Sequence, residues 1–275
     1  MDARHLAKAL GDPAYVLGLD PRGWDALLAM ADGEGLTASL ARRLHGLALP
    51  DHAMDRLASA HAAAEAERHQ ALDQIRAIGA CLAQQGSVAT LLGEAGWIAA
   101  GLDAARGCVV HEMSVAVSTK NDADAIAQLA GPIPLKVVLT APDTAAIPLE
   151  QGLRVPAPEA MIMDAVLAAL GHADPVAGLR GLWSIDRLLR EFSDADGFWQ
   201  RLHGCSAARK STPRLSRALR LAHHLFETPV DPWLAWQARK GDLFYLGRIL
   251  ARNAHGKETR PILRLAFRVR ARLLG

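Results

Sequence analysis

Cysteine is scarce. The 275 residues include three, Cys81, Cys108 and Cys205, odd in number, far apart and in no metal-ligand spacing. A disulfide framework is not expected, and the default compartment for such a chain is a reducing cytoplasm. Long apolar runs are also missing: no stretch reaches eighteen apolar residues, so no membrane-spanning helix is expected. The opening MDARHLAKALG lacks the apolar core of a signal peptide. There is no Walker-type loop, no Gly-x-Ser-x-Gly elbow and no dinucleotide fingerprint. Histidine is frequent, but the pair His223-His224 is adjacent rather than four apart, so the two cannot share a helix face as zinc ligands would.

What is present suits a packed globular protein: 51% hydrophobic and 22% charged residues argue against general disorder. The length allows one large domain or two modest ones. A net charge of +2 hides an asymmetry. Residues 1–150 hold 11 Lys/Arg against 18 Asp/Glu, and residues 151–275 hold 20 against 11. Such a split favours a dipolar molecule whose C-terminal half meets an anionic partner; the alternative is that the two halves attract each other.

Three segments follow from the patterning. Residues 1–86 read as a helical region. Trp24, Leu27, Leu28 and Ala31 fall on one helical face, Leu36–Leu47 resumes the pattern, and Asp51 is placed to cap a long Ala-rich helix that closes at Gln85-Gly86. Residues 87–150 change character. Short β-branched runs at Ser87–Leu92, Val109–Val117 and Ile133–Thr140 alternate with a helix over Asp122–Ala130, the mark of a small α/β core. Residues 151–275 return to helix, with runs from Pro158, over Leu179–Phe192, Pro213–Phe226, Pro232–Arg252 and Arg260–Leu274. The expected class is a mostly helical α/β fold with a small mixed sheet flanked by helical regions.

The order of these segments resembles the family labelled uncharacterised nucleotidyltransferase, within the polymerase-beta-like superfamily. The resemblance runs through GWDALLAMA, LTASLARRL, the VATLLGEAGW strand-and-turn, VVHEMSVAVSTKNDADAI, PAPEAMIMDAVLAAL and LWSIDRLLRE. It implies a minimal nucleotidyltransferase core. In the family a Leu-Lys-Gly turn helps position the nucleotide phosphates, and an Asp-x-Asp pair follows on the next strand. Residues two apart on a strand share a face, so two carboxylates there can hold Mg²⁺ against an NTP triphosphate.

Carried onto this chain, the turn becomes Leu91-Leu92-Gly93, with Leu92 in the lysine position and Glu94 following. An acid at that point repels phosphate. The carboxylate pair becomes Glu112 and Ser114, and the later strand Leu135–Ala141 has no Asp, Glu or His. An Asp common in the second C-terminal helix of the family corresponds to Asp186. Its alternative is a solvated position paired with Arg190 one turn on. For Glu112 the alternative is a solvated position on an edge strand. Asp122 and Asp124 are two apart, but a helix cap and first-turn acids explain them.

One further surface draws attention. Lys257, Arg260, Arg264, Arg268, Arg270 and Arg272 face only Glu258 in the last stretch, and Arg260, Arg264 and Arg268 share a helical stripe. An amphipathic basic helix of this kind suits an anionic membrane surface or nucleic acid, or serves as a final packing helix with solvated arginines. No aromatics interleave with the basic residues as a single-strand binder requires. The leading expectation is a pseudoenzyme: a nucleotidyltransferase-like protein, catalytically impaired, binding a ligand or a protein or peptide partner. An active transferase using NTP and Mg²⁺ around Gly93, Glu94 and Glu112, and a helical scaffold for an anionic macromolecule, are the rivals.

Overall fold

The computed structural model describes residues 3–129, 131–141, 143, 145–171, 178–237, 241–251, 266 and 269. It is a mostly helical α/β protein with one five-stranded mixed sheet. In chain order the helices are α1 (Arg4–Gly11), α2 (Pro21–Glu34), α3 (Thr37–Arg43), α4 (Asp51–Gln85), α5 (Gly93–Ala99), α6 (Lys120–Ala127), α7 (Pro158–Leu170), α8 (Gly178–Phe192), α9 (Phe198–Ala208), α10 (Thr212–Phe226), α11 (Pro232–Ala235) and α12 (Asp242–Ile249). The strands are β1 (Ala89–Leu92), β2 (Met113–Val117), β3 (Leu135–Leu139), β4 (Ile147–Pro148) and β5 (Leu153–Val155). Contacts divide the chain into two compact units, Met1–His61 with Ile162–Gly275, and Ala62–Met161. Among the described residues no helix is long and apolar enough to cross a membrane.

Among its described residues the first unit has helices and no strand. Asp20 caps α2 by accepting the Gly23 N–H at 2.7 Å, with Pro21 at the first helical position. At its other end the Leu36 N–H returns to the Ala31 carbonyl at 2.8 Å, past a left-handed Gly35. α8 buries Leu179, Leu182, Trp183, Ile185, Leu188 and Leu189, a stripe at three- and four-residue spacing that fixes which face meets the core. Glu34, buried at the end of α2, accepts the Leu179 N–H at 3.0 Å and so satisfies an open donor in the first turn of α8. α10 packs against both α8 and α1.

The second unit holds the sheet, in the order β3-β2-β1-β5-β4. β1 runs antiparallel to β2 and parallel to β5; β2 and β3 are parallel, and β4 and β5 antiparallel. Met113, Val115 and Val117 alternate onto one buried face of β2. Residues 62–85 of α4 lie in this unit and bury Ile75, Ile78 and Leu82. There Gln74 reaches the sheet's entry loop: its Nε2 donates to the Ile133 carbonyl at 2.9 Å, and its Oε1 accepts the Ile133 N–H at 3.1 Å. Gly131 leaves room for that amide, because a Cβ there would fall 2.3 Å from the Gln74 Cδ.

Several details depart from the sequence reading. The strand expected from Val109 starts only at Met113. The strand-and-turn VATLLGEAGW is a strand followed directly by α5. The single helix expected over Pro232–Arg252 is two, α11 and α12, with Gly241 at φ +88° before the second. A left-handed residue there cannot continue the helix. α1 and α9 lie within the regions that read as helical, although no pattern there singles them out, whereas β4 and β5 are additions to the expected strands. The helix expected over Arg260–Leu274 lies outside the described residues except for Ala266 and Val269, both helical.

Candidate functional site

The polar positions singled out in the sheet unit gather at one end of β1 and β2. β1 leads without a loop into α5, and two glycines make that possible. Gly93 opens the helix at φ +58°, a left-handed conformation that disfavours any side chain. Gly96, one turn on, lies so close to β1 that a Cβ would stand 2.6 Å from the Leu91 carbonyl oxygen. Glu94 is half-buried in the first turn of α5. A carboxylate suits the positive end of a helix, and it repels a phosphate approaching the same end.

Register completes the arrangement. Leu92 faces Ser114 across the antiparallel β1–β2 pair, and Ser114 faces Lys136 across the parallel β2–β3 pair. Residues paired this way lie side by side on one face of a sheet. Leu92, Ser114 and Lys136 therefore form a row of one apolar, one hydroxyl and one ammonium side chain. Glu112 stands just before β2 with its side chain half exposed, and Lys136 Nζ lies 3.6 Å from its Oε1. The Ser114 hydroxyl is 3.5 Å from the same oxygen. The position is solvated, but β2 is an interior strand between β3 and β1.

This donor set does not fit a magnesium–triphosphate centre. Hard divalent cations select several oxygen ligands. Here one exposed carboxylate is already paired with a lysine, beside a neutral hydroxyl. Among the described residues no cluster of three or more His, Cys, Asp or Glu is arranged to hold a metal ion. Asp122 is buried at the start of α6, where Thr119 accepts its N–H at 3.1 Å and donates to its carboxylate at 2.6 Å. That is a reciprocal helix cap.

Asp186 belongs to the helical unit, and its surroundings are not those of a solvated residue. It is 1% exposed. Its Oδ1 accepts from Arg190 Nε at 2.9 Å and from the Thr228 hydroxyl at 2.7 Å. Its Oδ2 is buried with no hydrogen-bond partner among the described residues, and the nearest cation, Arg187 Nη1, is 4.0 Å away. Asp186 lines a cavity of about 210 Å³ with Arg43, Arg187, Arg190, Trp183 and Glu227. Arg43 donates from Nε to the Leu10 carbonyl at 2.9 Å and from Nη2 to the Gly11 carbonyl at 3.2 Å, closing the end of α1. Arg190 does the same for α10, with Nη2 on the Phe226 carbonyl at 2.8 Å. The Arg187 guanidinium lies over the Trp183 ring at 5.5 Å. Burial holds the Arg43 pKa below its ordinary value, and the charges of Arg187 and Arg190 lower it further, against a smaller opposing effect of Asp186.

Sequence reasoning missed three contributors. Lys136 is an ordinary strand lysine with no local mark; strand register alone brings it beside Glu112 and Ser114. Arg43 and Arg187 were missed because nothing local marks them as neighbours. Arg260, Arg264, Arg268, Arg270 and Arg272 lie outside the described residues. Fold and site together define a mostly helical α/β protein with a Gly-opened strand-to-helix turn beside an uncharged-to-basic strand row. No family model, no curated protein and no solved structure matches the chain.

Proposed function

We propose that the sheet unit is a nucleotidyltransferase-like module in which catalysis is impaired, and that it binds a ligand or a protein or peptide partner through the end of the sheet where the transferase site would lie. The observation that carries this reading is the row Leu92–Ser114–Lys136, with Glu112 paired to Lys136. The order of β1, the left-handed Gly93 and α5 supports the reading, as a strand, turn and helix of that kind would face the phosphates. The groups that would hold cation and phosphate are an apolar residue, a hydroxyl and a neutralised carboxylate. At the turn itself an incoming NTP meets the apolar Leu92 and then Glu94 in the first turn of α5, while Lys136 is paired with Glu112.

Calorimetry with several NTPs and Mg²⁺ tests the reading. The native protein is expected to give no Mg²⁺-dependent nucleotide binding or turnover. A Leu92→Lys, Ser114→Asp, Lys136→Ala variant restores a cation at the turn and two free carboxylates, and is expected to gain Mg²⁺-dependent NTP binding. Pyrophosphate release by the native protein, abolished by Glu112→Ala, would refute impairment and establish an active transferase. Failure of the variant to bind would count against the nucleotidyltransferase assignment itself.

A further inference from the structure

The helical unit carries a second site that owes nothing to the sheet. We propose that the cavity lined by Arg43, Arg187, Arg190 and Asp186 is a binding site for a phosphoryl group. Unused hydrogen-bonding capacity marks the site. A guanidinium carries five N–H donors and cannot be deprotonated at ordinary pH. Arg43 commits two of its five, to Leu10 and Gly11, and Arg190 commits two of its five, to Asp186 and Phe226. Three N–H groups on each remain without an acceptor among the described residues. All of them belong to side chains lining one cavity of about 210 Å³.

The committed bonds explain why these arginines are present, as clamps on the ends of α1 and α10, but they do not explain the clustering. Two clamps far apart would serve equally well, and three guanidiniums around one cavity repel one another. An oxyanion relieves that repulsion and occupies the open donors. A phosphoryl group offers three strong acceptor oxygens, more than a carboxylate supplies, and Arg forks match its geometry. The volume admits that group with a few carbons, since a cavity of about 150 Å³ holds benzene. Each arginine sits on a helix and is held by backbone carbonyls, a carboxylate or an aromatic face, so little ordering remains to be done on binding.

The test is titration calorimetry on the full chain at matched ionic strength, using inorganic phosphate, glycerol 3-phosphate and acetate in turn. Saturable one-to-one binding of the phosphates and none of acetate is expected. Tighter binding of glycerol 3-phosphate identifies an organic ester as the ligand type, and equal binding identifies free phosphate; either supports the site. Arg43→Gln and Arg190→Gln should each weaken binding about tenfold, the loss of one charge-assisted pair. Glu227→Gln, at an exposed position, should tighten it about threefold by removing a repulsive charge. Leu92→Lys with Ser114→Asp should leave it unchanged, which separates this site from the sheet. Acetate binding as well as phosphate, or no saturable binding at millimolar phosphate, overturns the proposal. Where the arginine variants do not fold, phosphate affinity unaltered in Glu227→Gln overturns it as well.

Discussion

Gln74 offers a sharp test of how the sheet unit is held together. Its amide is buried and exchanges two hydrogen bonds with the backbone of Ile133, at 2.9 and 3.1 Å. Gln74→Ala removes both, each worth about 1 kcal/mol net, and strands a buried N–H and a buried carbonyl, each costing about 1–3 kcal/mol. Water entering the vacated space offsets part of this, so the expected loss is roughly 2–4 kcal/mol. Gly131→Ala attacks the same clamp from the other side. Its Cβ would stand 2.3 to 2.5 Å from three atoms of the amide, which must then leave. A similar loss is expected. The double variant puts the new methyl into space that Gln74 no longer fills, so it should be no worse than the worse single variant, a coupling of at least about 2 kcal/mol. Urea unfolding followed by circular dichroism gives the energies, and hydrogen exchange of the β3 amides assigns them to this unit. Additive losses, or a Gln74→Ala loss below about 0.5 kcal/mol, would refute the reasoning.

Other substitutions probe the remaining contacts. Thr228→Val removes the hydroxyl donated to Asp186 at 2.7 Å in a fully buried position, and should cost about 1.5–3 kcal/mol in urea unfolding. Gly93→Ala meets only backbone strain, since nothing lies within 4 Å of the new Cβ, and should cost about 1–2 kcal/mol. Gly96→Ala must push α5 off β1 and should cost about 3 kcal/mol; the reverse order in thermal unfolding would contradict the close approach. Arg220 grips Asp242 through two nitrogens, at 2.6 and 3.0 Å, and the Ala235 carbonyl at 2.5 Å. Arg220→Lys keeps the charge and loses the fork, so a loss of about 1.5–3 kcal/mol is expected, and an unchanged midpoint would show that charge alone suffices.

Elements with long apolar stripes were legible in the sequence: α2 and α8 bury the residues their spacing selects, and the three β-branched runs are β1, β2 and β3. Short or glycine-bearing elements were not. α5, with GEAGWIA, reads as a turn because Gly93 and Gly96 are turn residues unless a strand lies against them. β4 and β5 are two and three residues long, too short for an alternating pattern to register, and β5 takes its other partner, β1, from far earlier in the chain. In α9 the buried residues are Phe198, Leu202 and Ser206, a line too narrow and too interrupted by Gly204 to register as a face. The same holds for the sites. Leu92, Gly93, Glu112 and Ser114 are close in sequence and could be singled out, whereas Lys136 and the Arg43 cluster are assembled only by folding.

The helical unit is built from two lengths of chain, residues 1–61 and 162–275, with the whole sheet unit encoded between them. That order has a consequence during synthesis. α1 packs on α10, and α2 on α8, so the faces of α1 and α2 that those helices cover emerge from the ribosome well before α8 and α10 exist. At about 5–20 residues per second, the hundred-residue interval alone occupies roughly 5–20 s. The sheet unit is contiguous and can close its core in that interval, while the nascent amino-terminal helices still lack the cover of α8 and α10. Those seconds are the window in which a chaperone, or a neighbouring chain on the same polysome, would find them.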